Sequence, residues 1–192
     1  MATVRIRYGN TNTFLINGRL LVDTDYAGTI RAFYRTLKAS GIRLDSITHV
    51  MATHYHPDHC GLIGELQQKG IKLILLETQR DSVHFPDYIF KRDGIAYIPV
   101  DDTKAEIMGF GKSREYLRTL RIEGEIIATP SHSQDSVSLI LDDGDCMVGD
   151  LQPREYFASL DEEPELKADW DHILEHRPKR ILYAHIPEKR LE

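Results

Sequence analysis

The chain has 192 residues, 41% of them hydrophobic and 28% charged, with a formal net charge of -6. That length and mix describe a protein able to bury a core of its own, and residues 1–192 are expected to form a single domain. The negative balance excludes a nucleic-acid backbone as the main partner, because phosphate binding asks for a basic surface. The opening MATVRIRYGN has no apolar signal core, and no apolar run reaches membrane-spanning length, so no membrane partner is expected. Cys60 and Cys146 form no CxxC, which argues against a disulfide framework and for a reducing, cytoplasmic setting.

The chain opens as β structure. VRIRY alternates, and Asn17-Gly18 between two apolar runs is a hairpin turn, since both positions of that turn need positive φ. YAGTIRAFYRTLKASG is an amphipathic helix with Ile30, Phe33, Tyr34 and Leu37 on one face and Gly41 as its stop. Residues 47–53 form a buried strand, GLIGELQQKG a short helix, and residues 71–77 a second strand apolar enough to be covered on both faces. Residues 78–94 read as irregular. IAYIPV (95–100) reads as a strand, and SREYLRTL as a helix with Ser113 at its N-cap. GEIIAT is a strand, and a hairpin turns at Asp143-Gly144. Residues 151–163 are loop, residues 165–178 a helix, and KRILYAH a last strand. Strands alternate with helices, which predicts a mixed α/β domain. Asp23, His54, His132, Asp150 and His185 all fall at C-terminal ends of strands, where α/β folds place their sites.

The stretch THYHPDHCG, Thr53 to Gly61, holds three histidines and an aspartate within six residues. Imidazole and carboxylate are costly to bury unpartnered but are ordinary metal ligands. Residues two apart on an extended chain point the same way, so His54 and His56 can aim at one ion. Pro57 then forces a turn, and Asp58 and His59 face elsewhere, toward a second. His132, Asp150 and His185 could supply the distant ligands. Plainer roles exist for each residue: Asp58 as a helix N-cap, His132 and Asp150 as turn residues, His185 as a core histidine. The cluster shifts the balance toward ligation. His49 reads as core, His84 as part of an irregular stretch, and His172 with His176 as a solvated helix face. The cysteines read as buried small apolar residues. GFGKS (109–113) lacks the glycines of a phosphate loop or a dinucleotide fingerprint.

His54-Tyr55-His56-Pro57-Asp58-His59 matches the HxHxDH signature, and the chain resembles the metallo-β-lactamase superfamily. LLVDTD with Asp23, TPSHSQDS with His132, CMVGD with Asp150 and LYAHI with His185 are similar to its other motifs, in order along nearly the whole chain. The resemblance implies a four-layer αββα sandwich with two metals. One would take His54, His56 and His132, the other Asp58, His59 and His185. Asp150 would bridge them, and Asp23 would orient a ligand histidine. Ser131 and Ala184 stand where the family usually has glycine, which puts the local backbone geometry in question. Aspartate at 150 is similar to the glyoxalase II, lactonase and phosphodiesterase branches rather than to zinc β-lactamases proper. Histidine at 56 separates the chain from the flavo-diiron branch.

Such a centre implies a hydrolase acting on a small-molecule ester, thioester, lactone or phosphodiester. A metal-bridging hydroxide would attack, with Asp58 orienting it and carrying its proton. Two dications, two carboxylates and a hydroxide leave a formal charge of about +1, suited to an oxygen that becomes negative. Zinc is the default cofactor, with iron or manganese also compatible with N and O donors. The short run after His185 argues against the extra domain of glyoxalase II. Residues 77–116 and 151–165 are expected to shape the substrate. They hold Phe85, Tyr88, Phe90, Phe110, Tyr116, Tyr156 and Phe157, with Lys112 and Arg114 able to meet an anion; core packing and surface charge account for these residues equally well. The rival readings are a mononuclear-iron oxidoreductase of persulfide-dioxygenase type and a non-catalytic metal-binding protein.

Overall fold

The computed structural model describes residues 2–157 and 162–191. Its elements in chain order are β1 (Thr3–Arg7), β2 (Asn12–Ile16), β3 (Leu20–Val22), α1 (Ile30–Ala39), β4 (His49–Met51), α2 (Pro57–Cys60), α3 (Ile63–Gln67) and β5 (Lys72–Leu76). There follow α4 (Phe85–Arg92), β6 (Glu106–Met108), α5 (Phe110–Thr119), β7 (Gly124–Ala128), β8 (Val137–Leu141), β9 (Asp145–Gly149), α6 (Pro164–Glu175), β10 (Arg180–Tyr183) and β11 (Lys189–Arg190). Two sheets result among the described residues. One has the order β1-β2-β3-β4-β5-β6, the other β11-β10-β9-β8-β7.

Period-two alternation along the strands sorts side chains into layers. Phe14, Ile16, Leu20, Val22, Ile74 and Leu76 point from the first sheet into a core shared with Val137, Leu139, Leu141, Met147 and Leu182 of the second. The intervening residues Leu15, Leu21, Leu73 and Leu75 point outward, to a core with Phe33 and Leu37 of α1 and Ile63 and Leu66 of α3. Ile140, Cys146, Val148, Ile181 and Tyr183 leave the second sheet the other way, to Leu166, Trp170 and Ile173 of α6. Helix, sheet, sheet, helix: the αββα sandwich follows from strands buried on both faces.

The turns obey the local chemistry. Asn17 and Gly18 have φ of 51° and 68°, as the β2–β3 hairpin needs, and Gly41 ends α1 at φ 68°. Other expectations need correction. Residues 78–94 are not irregular throughout, since α4 occupies Phe85–Arg92. Its signals are Pro86 in the first turn, Lys91 and Arg92 in the last, and Gly94 beyond at φ 67°. Ile95–Val100 is not a strand; Pro99 cannot donate to a ladder. That segment packs across α3, so closely that a Cβ on Gly64 would lie 2.1 Å from the Ile98 carbonyl oxygen. The added strand of that sheet is β6 instead. Helix α5 begins at Phe110 with Gly109 at its N-cap, and Ser113 lies inside it. The Ser113 hydroxyl donates to Phe110 O at 2.7 Å and accepts from Ile126 N at 3.1 Å, tying α5 to β7. The predicted 61–70 helix is the shorter α3, and a separate one-turn helix, α2, precedes it. The 151–163 loop contains a 3-10 turn at Arg154–Tyr156; residues 158–161 lie outside the described residues.

Candidate metal centre

The two sheets meet at one end, where Val137 N donates to Thr53 O at 2.8 Å and Asn12 N to Ala184 O at 2.7 Å. Every predicted ligand lies there. β4 ends two residues before Thr53 and delivers the extended segment that carries His54 and His56. α2 then starts at Pro57, with His56 as its N-cap residue. Asp58 lies in the first turn of α2 and makes no cap, which removes its plainer role. β9 ends at Gly149 and delivers Asp150; β10 ends two residues before His185; the segment after β7 carries His132.

Three groups of donors converge, each with its atoms within 4.8 Å of one another: His54 with His56 and His132, His54 with His59 and Asp150, and Asp58 with His59 and His185. His132 Nε2 lies 3.2 Å from His56 Nδ1. His185 Nε2 lies 3.3 Å from His59 Nε2 and 3.1 Å from Asp58 Oδ2. Asp150 stands between the sets, with Oδ1 3.2 Å from His185 Nε2 and 3.4 Å from His59 Nε2, and Oδ2 3.8 Å from His132 Nε2. Ligand atoms about 2.05 Å from a tetrahedral ion are about 3.3 Å apart. The contacts near that value in the first and third groups therefore fit one cation in each, while the second group shares His54 with one and His59 with the other. His54 Nε2 is buried with no hydrogen-bond partner, an orphan that a cation would satisfy.

The electrostatics follow from crowding. Burial pushes the His54 imidazole far below its ordinary range, aided by His59 beside it. Burial also lowers His132. For His59 burial acts downward, but Asp23 and Asp150 outweigh it and raise the ring to about 10. Burial would raise Asp58, yet His185 and His59 bring it to about 2. Asp150 is likewise held below the carboxylate range by His59 against its burial. The hydrogen bond to Asp58 raises His185 despite burial.

Asp23 touches the centre through His59, accepting from its Nδ1 at 3.0 Å. Sequence reasoning missed other supports. Buried Gln79 donates to Ala52 O at 3.1 Å and Asp135 O at 3.2 Å and accepts from Leu76 N at 3.2 Å, bracing the segment before His54. Asp135 accepts from Tyr55 N at 2.7 Å, between the paired histidines. Asp169 accepts from Ser131 N at 2.8 Å, next to His132. The available signal for Asp169 was its place on the buried stripe of α6 with Leu166, Trp170 and Ile173. Neither Ser131 nor Ala184 has positive φ, so the missing glycines cost no backbone strain.

The other histidines lie outside these groups. His49 is buried, 3.1 Å from the Tyr116 hydroxyl. His84 sits between Asp87 and Asp102, and His176 meets Glu125 at 3.4 Å. Both cysteines are buried and free, and the Cys60 thiol donates to His56 O. Of the seven predicted substrate-shaping aromatics, Phe85 reaches the centre, its ring 5.7 Å from that of His56. Phe90 is core, Phe110 and Tyr116 pack between the sheets, Phe157 packs beside α6, and Tyr88 and Tyr156 are exposed. Arg114 is engaged by Asp142 and Glu125, and Lys112 lines a separate cleft with Glu115 and Tyr116. A separate cleft of about 810 Å³ lies by Arg43, His49 and Lys72 at the opposite ends of β4 and β5 and holds no part of the cluster.

The family profile described as the metallo-beta-lactamase superfamily matches residues 6–185. Lactamase-like protein adaB of Aspergillus niger is 37% identical over 67 residues, 32% of this chain, and the match spans 20% of that relative's length. Two solved structures share the fold. A metallo-beta-lactamase family protein of Thermus thermophilus superposes with a TM-score of 0.71 at 18% identity, over 98% of this chain and 73% of that one. TTHA1623, solved in a di-iron-bound form, gives 0.70 at 18% identity, over 99% and 94%. With the profile matching along nearly its whole length and the αββα layers in place, the chain belongs to the metallo-beta-lactamase superfamily.

Proposed function

We propose that the protein is a dinuclear metal-dependent hydrolase of small-molecule esters, thioesters, lactones or phosphodiesters, formed as one domain over residues 1–192. The observation that carries this reading is the interlocking of three donor groups around His54, His59 and Asp150. His54, His56 and His132 would hold one cation, and Asp58, His59 and His185 the other, with Asp150 shared. The donors are nitrogen and oxygen throughout, which suits two zinc ions and equally iron or manganese. The di-iron form of TTHA1623 supports a two-cation site on this fold.

When bound, the cations supply Lewis acidity and hydroxide near neutral pH. The protein supplies the rest. Asp58, ionised across the neutral range, lines the cleft beside His56 and orients the attacking water by accepting its hydrogen bond. It then passes that proton to the leaving group. Asp23 fixes the His59 ring so that Nε2 faces the centre. Buried His54 and His59 keep bulk water from the back of the site. Two free, buried thiols support a reducing compartment such as the cytoplasm, and no helix among the described residues is long and apolar enough to cross a membrane.

The test is elemental analysis of purified protein, paired with turnover of an ester, a thioester, a lactone and a phosphodiester. Two metals per chain and activity abolished in His56→Ala are the expected results. One iron per chain with oxygen uptake would replace this reading by the oxidoreductase one. Failure to bind any metal would leave a non-catalytic protein.

A further inference from the structure

Two clefts open beside the candidate centre. One, about 510 Å³, runs from His56 and Asp58 past Tyr26 to Phe85 and Ile89 and is also lined by Asp25. The other, about 320 Å³, borders His132 and is lined by Gln152, Leu166, Glu163 and Glu165.

The first has an apolar wall that the fold itself does not use. Phe85 is 51% exposed although it begins a well-anchored helix. Pro86 and Phe90 of the same helix are buried, and Phe90 packs edge-on against Tyr26 at 5.1 Å and against Tyr97 at 4.4 Å. The wall is therefore held in place before any ligand arrives. A large apolar ring exposed beside a reacting centre gains free energy when a hydrocarbon group covers it.

Charge narrows the ligand further. Among the described residues neither cleft is lined by a lysine or an arginine, while Asp25, Glu163 and Glu165 place carboxylates in them. Asp25 is fixed there, accepting from Thr11 N at 3.2 Å and Tyr26 N at 2.6 Å. Of the two sequence candidates for an anion partner, Arg114 is engaged by Asp142 and Glu125 and Lys112 lines a separate cleft. A remote carboxylate or phosphate on the substrate would meet like charge with no cation to receive it.

We propose that the substrate is an uncharged carboxylic ester, open or cyclic, whose hydrocarbon group lies against Phe85 and Ile89, and that the flanking carboxylates select against anionic esters. This rests on the hydrolase reading above and names its substrate class. Water adds to the carbonyl carbon, the ester C–O bond breaks, and the alkoxide leaves with a proton. The products are an alcohol and a carboxylic acid, which ionises at neutral pH. The same carboxylates that disfavour an anionic substrate then favour departure of that product.

The experiment compares phenyl butanoate with phenyl hemisuccinate on the metal-loaded protein. Calorimetric binding of the matching anilides, N-phenylbutanamide against N-phenylsuccinamate, is measured in parallel. The expected wild-type preference for the neutral ester is at least tenfold, and it shrinks as ionic strength rises, because screening acts on charge and not on shape. Glu163→Lys with Glu165→Lys narrows the preference tenfold or more in both turnover and binding. Phe85→Ala flattens the gain in kcat/KM from phenyl acetate to phenyl hexanoate; at an exposed position it leaves the melting temperature near wild type. Equal or better use of the hemisuccinate, or turnover of bis(4-nitrophenyl) phosphate alone, overturns this inference and leaves the hydrolase reading standing. Metal-loaded protein that turns over none of these, nor a thioester or a lactone, overturns both.

Discussion

Asp23 Oδ2 lies 3.0 Å from His59 Nδ1, while its two oxygens also accept from Thr53 Oγ1 at 2.9 Å and Thr53 N at 2.6 Å. One carboxylate thus fixes a ring on the second donor group and the backbone that leads to the first. Asp23 does this from φ 58°, a left-handed conformation that costs a non-glycine residue of order 1 kcal/mol and persists where the surroundings determine it. Asp23→Asn keeps the shape but brings an amide that can donate where only acceptance is wanted. Its metal affinity is expected to fall about 10- to 100-fold, measured by chelator competition, with circular dichroism unchanged. Wild-type affinity would show that His59 is oriented by something else.

Asp169 stands in the same relation to the loop carrying His132. Its carboxylate, with a pKa raised by burial despite the Ser131 contacts, accepts from Ser131 N. Asp169→Ala leaves that amide without its partner, at a cost of about 1–3 kcal/mol. It also frees the residue next to His132. The expected phenotype is a lowered urea midpoint together with loss of one metal equivalent rather than two. Loss of both equivalents, or of neither, would separate Asp169 from the His54, His56 and His132 group.

The fold was legible where chemistry is local. Asn17-Gly18, Gly41 and Asp143-Gly144 dictate turns through their own φ preferences, and continuous apolar strands announce a sheet covered on both faces. The candidate ligand residues were legible because histidine and aspartate at strand ends have few structural uses. What escaped was long-range. Gln79, Asp135 and Asp169 act through hydrogen bonds to backbone at sequence separations of 26 to 80 residues, and no periodicity carries that information. Helix α4 was obscured by its mixed composition, although Pro86 and Gly94 marked both its ends. IAYIPV misled because an apolar run looks the same whether it joins a ladder or lies across a helix.

Gly149 illustrates a constraint the sequence hid and the structure exposes. It has φ 58°, and a Cβ there would lie 2.4 Å from Thr53 Oγ1, the hydroxyl that bonds Asp23. Gly149→Ala therefore combines an unfavourable backbone with a clash between the two strand ends that deliver Asp150 and His54. A loss of about 1–3 kcal/mol is expected by chemical denaturation, with weakened binding of both metals because Asp150 stands between the groups. Unchanged stability would mean that Thr53 can rotate away without cost to Asp23.

In the proposed centre the proton and the metal would compete for His59. With its pKa raised to about 10 by Asp23 and Asp150 against the effect of burial, His59 in the metal-free protein carries a proton at neutral pH. A raised pKa stabilises the fold fully below the unfolded value of about 6.5, and that contribution fades as pH climbs toward 10. Asp58, lowered to about 2, contributes above about 4 and loses its share as pH falls toward 2. Metal ligation requires neutral His59, so binding releases a proton and its apparent affinity rises with pH throughout this range. Heating metal-free and metal-loaded protein at pH 6, 7 and 8 is expected to show a gap in melting temperature that widens at each step. Calorimetry in buffers of different ionisation enthalpy is expected to register at least one proton released per chain at pH 7. A gap that narrows with rising pH, or a binding heat independent of buffer, would mean that His59 is already neutral when the metal arrives.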